Sequence, residues 1–393
     1  MQIIMGGGRV PISTTIENMF DEILQKDYRF IRYPKTTNRS LRAWNTADEH
    51  LLNYFQTLEL NNYRLSVYND RFGFLTGHLH EFKPNVIINY ASQQKAILKN
   101  LEINRLAREQ IKFYTPFEEL AEKINVTVLR IPKSMDLFRL QLQYISKSLS
   151  ADGIVLGGFM TRHFGPQMLS IASEYFEEVE QSRAWKKSRV LILCKKKPIR
   201  PKKNINSISF EDQIFRQYFG VFSSNNIDHA SQFFVKNWKI NDDSRRVLDL
   251  ASGNGFLGKM IRLQNIDCEV HLIDDDWLAV ESSKMNFEKD DEKTFFHFGD
   301  NLSDFEDDFF DLIVSNPPFH FEHENNIEVA IGLFKEVQRC LKKGGSFQLV
   351  ANRHLNYKTH LRRLFASVEV LKKNKKFEIY QTARETGLRP PEV

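Results

Sequence analysis

Short apolar runs that break at glycine and then resume at helical spacing recur through the second half of the chain. Arg246–Leu250 reads as a strand, Gly253 and Gly255 as a tight turn, and Leu257, Met260 and Ile261 as one face of a helix. The alternation continues with a strand over Glu269–Asp274, a helix over 279–286, a strand over Phe310–Ser315, a helix over 326–341 and a strand over 346–351. Strands alternating with helices predict a parallel sheet covered on both faces by helices.

The first half repeats this layout. Apolar runs at 65–69, 86–89 and 126–131 predict first, second and fourth strands, the last ending at Pro132. In both halves a helix then runs into glycine and an apolar strand, Gly153-Ile154-Val155-Leu156 in one and Gly345-Ser346-Phe347-Gln348 in the other. A helix and a lysine-rich hairpin close each half, at Trp185-Lys186-Lys187 and at Lys372-Lys373. Corresponding points lie roughly 185 residues apart, the offset of a tandem duplication. Two doubly wound α/β domains are expected, 1–205 and 206–393, joined by a basic linker over 195–206. The copies differ in their loops. Ser252-Gly253-Asn254-Gly255 of the second matches Asp70-Arg71-Phe72-Gly73 of the first, and Asn316-Pro317-Pro318-Phe319 matches Ile131-Pro132-Lys133-Ser134. The first copy is therefore expected to hold no cofactor.

A length of 393 residues suits two such domains, each able to bury its own core. Ordinary apolar content, with 32 Phe, excludes a disordered or fibrous chain. The net charge of +5 is mild, but its distribution is uneven. Basic residues crowd at 185–189, 195–203 and 372–376, and acids between Asp267 and Asp311. That polarity fits a face that tracks phosphates, so the first copy is expected to recognise RNA; solvated loop lysines are the alternative for any single cluster. Cys194, Cys268 and Cys340 lie far apart, which predicts neither a disulfide framework nor a metal site and fits a reducing cytoplasm. The N-terminus lacks a signal-peptide pattern and no apolar run is long enough to span a bilayer. A cytoplasmic monomer with no membrane contact is expected.

The candidate chemistry sits where strands end. The glycines of Ala251-Ser252-Gly253-Asn254-Gly255 let backbone approach a ligand, and Asp249 just before them would face a positively charged amino group; a plain turn is the alternative. Asp274, crowded by Asp275 and Asp276, ends the next strand, where a carboxylate can accept from two ribose hydroxyls. Asp300, followed by Asn301, comes after a third apolar run and is placed to reach an adenine or else is an exposed turn residue. Asn316-Pro317-Pro318-Phe319 is the sharpest feature, because two prolines after a strand-ending Asn make a rigid exit from the sheet. The Asn316 side-chain oxygen and the Pro317 carbonyl are then two acceptors for one NH2 group, with Phe319 as a stacking face. An exocyclic amino nitrogen has its lone pair delocalised into the ring. Accepting both its hydrogens favours the pyramidal geometry that attacks a methyl group. Methyl transfer of this kind from S-adenosylmethionine is an in-line displacement that needs neither a metal nor a covalent nucleophile. The target base must be single-stranded or flipped out. His320 is expected to be structural or a substrate-loop contact.

On these motifs the chain resembles the bacterial ribosomal RNA guanine-N2 methyltransferases over nearly its whole length. The likeness rests on Gly220-Val221-Phe222-Ser223, on 249–258, on Ser315 to His320, and on 350–357 in the second half. In the first half it rests on Leu41-Arg42-Ala43-Trp44, Asn69 to Gly73, Ile131 to Ser134 and Ala184-Trp185-Lys186-Lys187. The resemblance implies two tandem Rossmann-like class I methyltransferase folds, the first degenerate. It also implies S-adenosylmethionine as cofactor and one guanine N2 of 23S rRNA, or of a large-subunit assembly intermediate, as target. Ala351-Asn352-Arg353-His354-Leu355 favours the large-subunit enzyme over its 16S counterpart. Arg353, His354, Lys186 and Lys187 are the expected RNA contacts. Where the family usually has Gly-Cys, this chain has Ala251-Ser252, which implies weakened cofactor affinity at most. The Asn-Pro-Pro-aromatic arrangement also serves release-factor glutamine and DNA adenine-N6 methyltransferases, and decay of both copies would leave an inactive RNA-binding factor. Those readings stay open on the pattern alone.

Overall fold

The computed structural model describes residues 27–36, 38, 40–60, 62–198, 204–223, 226–240, 243–317 and 327–384. In the first half β1 (Leu65–Tyr68), β2 (Asn85–Ile87), β3 (Lys112–Tyr114), β4 (Ile124–Arg130), β5 (Leu149–Met160), β6 (Phe176–Gln181) and β7 (Ser188–Lys196) form one sheet, ordered β3-β2-β1-β4-β5-β7-β6. A hairpin of β8 (Ile205–Phe210) and β9 (Gln213–Tyr218) follows. In the second half β10 (Arg246–Leu250), β11 (Glu269–Asp274), β12 (Thr294–Phe298), β13 (Phe310–Ser315), β14 (Leu341–Asn352), β15 (Ser367–Lys373) and β16 (Phe377–Ala383) repeat the order as β12-β11-β10-β13-β14-β16-β15. Five strands of each sheet are parallel, and the closing hairpin is antiparallel.

Helices cover both faces. The first half carries α1 (Thr46–Phe55), α2 (Phe74–His78), α3 (Ala91–Ile103), α4 (Met135–Ser148) and α5 (Pro166–Tyr175). The second carries α6 (His229–Val235), α7 (Phe256–Gln264), α8 (Trp277–Lys284), α9 (Ile327–Cys340) and α10 (Tyr357–Leu361). Helices on both sides make central strands apolar without alternation: β1 is buried at all four positions and β10 at four of five. Each sheet has a core on either face, with Val247, Phe234 and Phe256 under one side of the second and Leu248, Phe310 and Phe347 under the other. Burying each such side chain stabilises by roughly 1.5–3 kcal/mol. The β8–β9 hairpin, which the sequence pattern did not reveal, packs Ile208, Phe210 and Phe215 into that second-half core. Among the described residues no helix is long and apolar enough to cross a membrane.

The copies superpose in register. Asn69 and Ala251 both follow the first strand at φ of +59°, and Gly73 and Gly255 close the five-residue loops at +84° and +78°. Tyr68 pairs with Leu129, and its counterpart Leu250 pairs with Ser315. The residue matching Asn316 is therefore Arg130, not Ile131, a correction of one position to the sequence alignment. Both side chains reach back to the helix that precedes the first strand: Arg130 Nη1 donates to Asn45 and Asp48, each at 2.8 Å, and Asn316 donates to Asp228 and Ser231. β5 and β14 have the same length and burial pattern and begin directly after their helices, not at 346 as the second was expected to.

The halves dock about a pseudo-two-fold axis. The loops after the second strands pair with each other. The Ala91 N–H donates to the Asp275 carbonyl at 3.0 Å, and the Trp277 N–H donates to the Asn89 carbonyl at 2.9 Å. The register makes Ala91 the counterpart of Trp277 and Asn89 that of Asp275. The loops after the third strands obey the same relation, since Phe117 packs edge-on against Trp277 of α8 while Asp300 accepts from Lys95 of α3. This is the isologous contact of a symmetric dimer, built within one chain.

Candidate active site

The turn from β10 into α7 is strung on alternating left-handed residues, Ala251 at +59°, Gly253 at +56° and Gly255 at +78°. Gly255 starts α7, and a Cβ there would meet Ser283 at 2.9 Å; one on Gly258 would meet Leu272 at 2.9 Å, so the helix lies closer to the sheet than any larger residue permits. Around Gly253 the space is open, so bare backbone faces the cleft.

Two carboxylates secure this turn from beneath. Asp249, fully buried on β10, accepts the Gly258 N–H at 2.7 Å through Oδ2, while Oδ1 has no partner. Burial pushes its carboxyl up to about 7, with the Asp274 charge adding to the rise. Asp274 accepts the Gly253 N–H at 2.8 Å on one oxygen and the Asp276 N–H at 2.9 Å on the other. Burial raises it to about 6 against the pull of those amides. The Ser252 hydroxyl is also buried and unpartnered.

Asn316 stands across a cleft, which it lines together with Ser252, Gly253, Asn254, Gln217 and Phe222. Its amide nitrogen donates to Asp228 Oδ2 at 3.0 Å and Ser231 Oγ at 2.8 Å. A carboxylate only accepts, so the NH2 end must face Asp228, and the Asn316 Oδ1 is left buried without a partner. Asp228 is itself fixed, because the same oxygen caps α6 by accepting from Ala230 and Ser231. Pro317 is buried beside it. Pro318, Phe319 and His320 lie outside the described residues.

The expected cofactor residues thus divide. Asp249, Ala251 to Gly255, Asp274 and Asn316 converge on one edge. Asp275, Asp300 and Asn301 flank that edge and already have partners of their own. Both oxygens of Asp275 are taken by Ser92, from its N–H at 2.7 Å and its Oγ at 2.5 Å. Asp300 accepts from Lys95 Nζ at 2.5 Å and from the Tyr33 hydroxyl, and Asn301 closes a turn by accepting from Ser303. Arg353 and His354 are exposed just beyond β14, with Arg353 3.4 Å from Glu378. Lys186 and Lys187 are exposed in the β6–β7 turn, at the carboxyl edge of the first sheet rather than the second.

Three cleft residues escaped the sequence reading. Asp228 and Ser231 carry a signal that was there to find, an Asp cap followed by Ser three positions on. Gln217 is wholly buried. It accepts from Asn254 Nδ2 at 2.8 Å and donates to the carbonyls of Val221, Phe222 and Ser223 at 3.3–3.4 Å, tying two cleft walls together. Nothing local in the sequence marks it.

The residues present fit S-adenosylmethionine. An unpartnered buried carboxylate oxygen suits its ammonium group, and exposed left-handed backbone suits close approach. Among the described residues, no three His, Cys, Asp or Glu side chains cluster as metal ligands do.

Residues 19–198 match the family model described as the RLMG N-terminal domain, and residues 212–381 that of the methyltransferase small domain. The chain is 30% identical over 364 residues to the ribosomal RNA large subunit methyltransferase G of Yersinia pseudotuberculosis serotype O:1b, spanning 91% of this chain and 92% of the relative. The protein of the same name from Yersinia enterocolitica serotype O:8 is also 30% identical, with the same coverage. Among solved structures, the T. thermophilus 16S rRNA N2 G1207 methyltransferase in complex with AdoMet and guanosine superposes with a TM-score of 0.71. It shares 20% identity, over 89% of this chain and 94% of that one, and supports the two-copy S-adenosylmethionine-dependent methyltransferase fold. With models matching both halves and a relative aligned across nine-tenths of its length, the chain belongs to the ribosomal RNA large subunit methyltransferase G family.

Proposed function

We propose that this chain transfers a methyl group from S-adenosylmethionine to the exocyclic N2 of one guanine in 23S rRNA, free or within a large-subunit assembly intermediate. The observation that carries the reading is the orphaned Asn316 Oδ1, a buried acceptor held in orientation by Asp228 and Ser231, on a residue that lines the same cleft as the glycine turn. The family name supports the 23S target.

When bound, the cofactor supplies an electrophilic methyl group on a sulfonium. Asp249 pairs with its ammonium, and the Ser252–Gly255 backbone lies along it. Asn316 Oδ1 accepts one N2 hydrogen and the Pro317 carbonyl the other, which draws the nitrogen lone pair out of the ring plane toward the methyl group. The amide cannot rotate to present its NH2, because Asp228 would then face a like acceptor. Phe319 stacks on the flipped guanine, and the proton leaves to solvent after transfer. Residues 206–393 form the catalytic unit and 1–205 a degenerate unit that recognises RNA. Arg353, His354, Lys186 and Lys187 contact phosphates.

Labelled S-adenosylmethionine incubated with unmodified 23S RNA, 16S RNA or release factor should yield N2-methylguanosine from 23S RNA alone. Label only in 16S RNA overturns the target, and label in glutamine overturns the RNA reading. Asn316→Ala should lower kcat by roughly 10²–10³-fold, the usual cost of a lost transition-state acceptor, with cofactor Kd little changed. Equal loss of both would remove the acceptor role.

A further inference from the structure

The acidic edge beyond β11 and β12 is held by the other half of the molecule. Asp274, Asp275 and Asp276 are consecutive, and Asp300 sits against them because the Gly299 N–H donates to the Asp274 carbonyl at 3.0 Å. The three consecutive carboxylates repel one another unless cations or hydrogen-bond donors intervene. The first half supplies both. Lys95 of α3 reaches Asp300 at 2.5 Å, Ser92 in the first turn of α3 binds both oxygens of Asp275, and Arg71 Nη2 stands 3.8 Å from Asp275. The Asp300 side chain is nearly buried while Lys95 is exposed, so solvent screens the pair from the lysine side only.

The connection continues inward. Lys95 holds Asp300, the Gly299 amide next to it holds the Asp274 backbone, and the Asp274 carboxylate holds the Gly253 N–H in the glycine turn. We propose that Lys95, seconded by Ser92, is a positioning residue for the cofactor. From the first half it aligns the adenosine end of a site whose described cleft residues come from the second. The degenerate copy is then part of the cofactor site's architecture as well as a carrier of RNA-binding charge. The inference rests on the reading that the cofactor lies along the carboxyl edge of the second sheet.

The test uses the full chain, with cofactor Kd by calorimetry, KM for S-adenosylmethionine and kcat at saturation. Lys95→Met should raise Kd and KM about five- to tenfold with kcat unchanged, and Lys95→Arg should restore them. Ser92→Ala, a milder break that keeps the backbone donor, should raise Kd about two- to threefold. Asp274→Asn serves as the reference for the underlying reading. If Asp274→Asn weakens binding and Lys95→Met does not, the inference is overturned while the site stands. If neither weakens it, the assignment of the cofactor edge is wrong. A lowered melting temperature with unchanged Kd, or kcat falling in step with the rise in KM, also overturns a positioning role.

Discussion

Ala251 occupies a left-handed backbone position where the family pattern has glycine. A Cβ there costs about 1–2 kcal/mol, while glycine would cost about 0.4–1 kcal/mol in unfolded-chain entropy. Ala251→Gly should therefore stabilise the fold by about 0.5–1 kcal/mol, seen as a higher denaturant midpoint with an unchanged slope; a lower midpoint would mean that the methyl packs usefully. Asp249 makes a second residue-level prediction. Its folded carboxyl lies above the unfolded value of 3.8, so the stability it contributes is present in acid and is lost as pH rises toward about 7. Cofactor binding should run the other way, because an ammonium pairs with the ionised form. Affinity should rise about five- to tenfold between about pH 6 and 7.5, before the cofactor's own amino group begins to lose its proton near 7.7–8.0. Asp249→Asn should flatten the profile, and a flat profile in the unsubstituted protein would separate Asp249 from the ammonium. Both residues were legible in the sequence because their chemistry is local, a strand end and the turn after it. That Asp275 and Asp300 bind Ser92 and Lys95 of the first half was not legible, because adjacent acids look alike until a partner distant in sequence selects among them.

At the scale of elements, the parallel strands and their flanking helices could be read from apolar runs broken by glycine, to within a few residues at most boundaries. What escaped included β3, three residues long with no buried position, and, with more consequence, α6, seven residues long and too short to show helical periodicity, and the β8–β9 hairpin, whose half-exposed strands give only a weak alternation. The loss of the last two mattered, since both wall the cleft. The register error at Ile131 has a similar origin: the strand register sets Arg130 opposite Asn316, but a proline pair beside a single proline aligns equally well one step off in the sequence. Gln217, at the end of the hairpin, joins β9, the Val221–Ser223 carbonyls and Asn254. Gln217→Leu removes these bonds and leaves the Asn254 amide short of an acceptor, a cost of about 1–3 kcal/mol. KM for the cofactor should rise about tenfold while kcat at saturation holds; a fall in kcat alone would place Gln217 with the base and not the cofactor.

For the whole molecule, the duplication was legible because an offset in sequence survives divergence of side chains, whereas the pseudo-two-fold docking was not, being a relation between surfaces distant in sequence. Docking about such an axis leaves each copy its own carboxyl edge. The first edge carries exposed Lys186 and Lys187, near Arg162 and Lys133, whose charges depress His163 after burial does. The second carries Arg353 and His354. If both edges grip one RNA, binding should weaken linearly in log salt with a slope set by the number of phosphates neutralised. Arg353→Ala should flatten that slope by about 0.7–0.9, the share of one phosphate, and the Lys186→Ala, Lys187→Ala pair by up to about twice as much. Neither should alter kcat once RNA saturates the enzyme, because none of these groups lines the cleft. A slope changed only by Arg353→Ala would confine RNA to the catalytic edge, leaving the first half the single task of holding the cofactor site in shape.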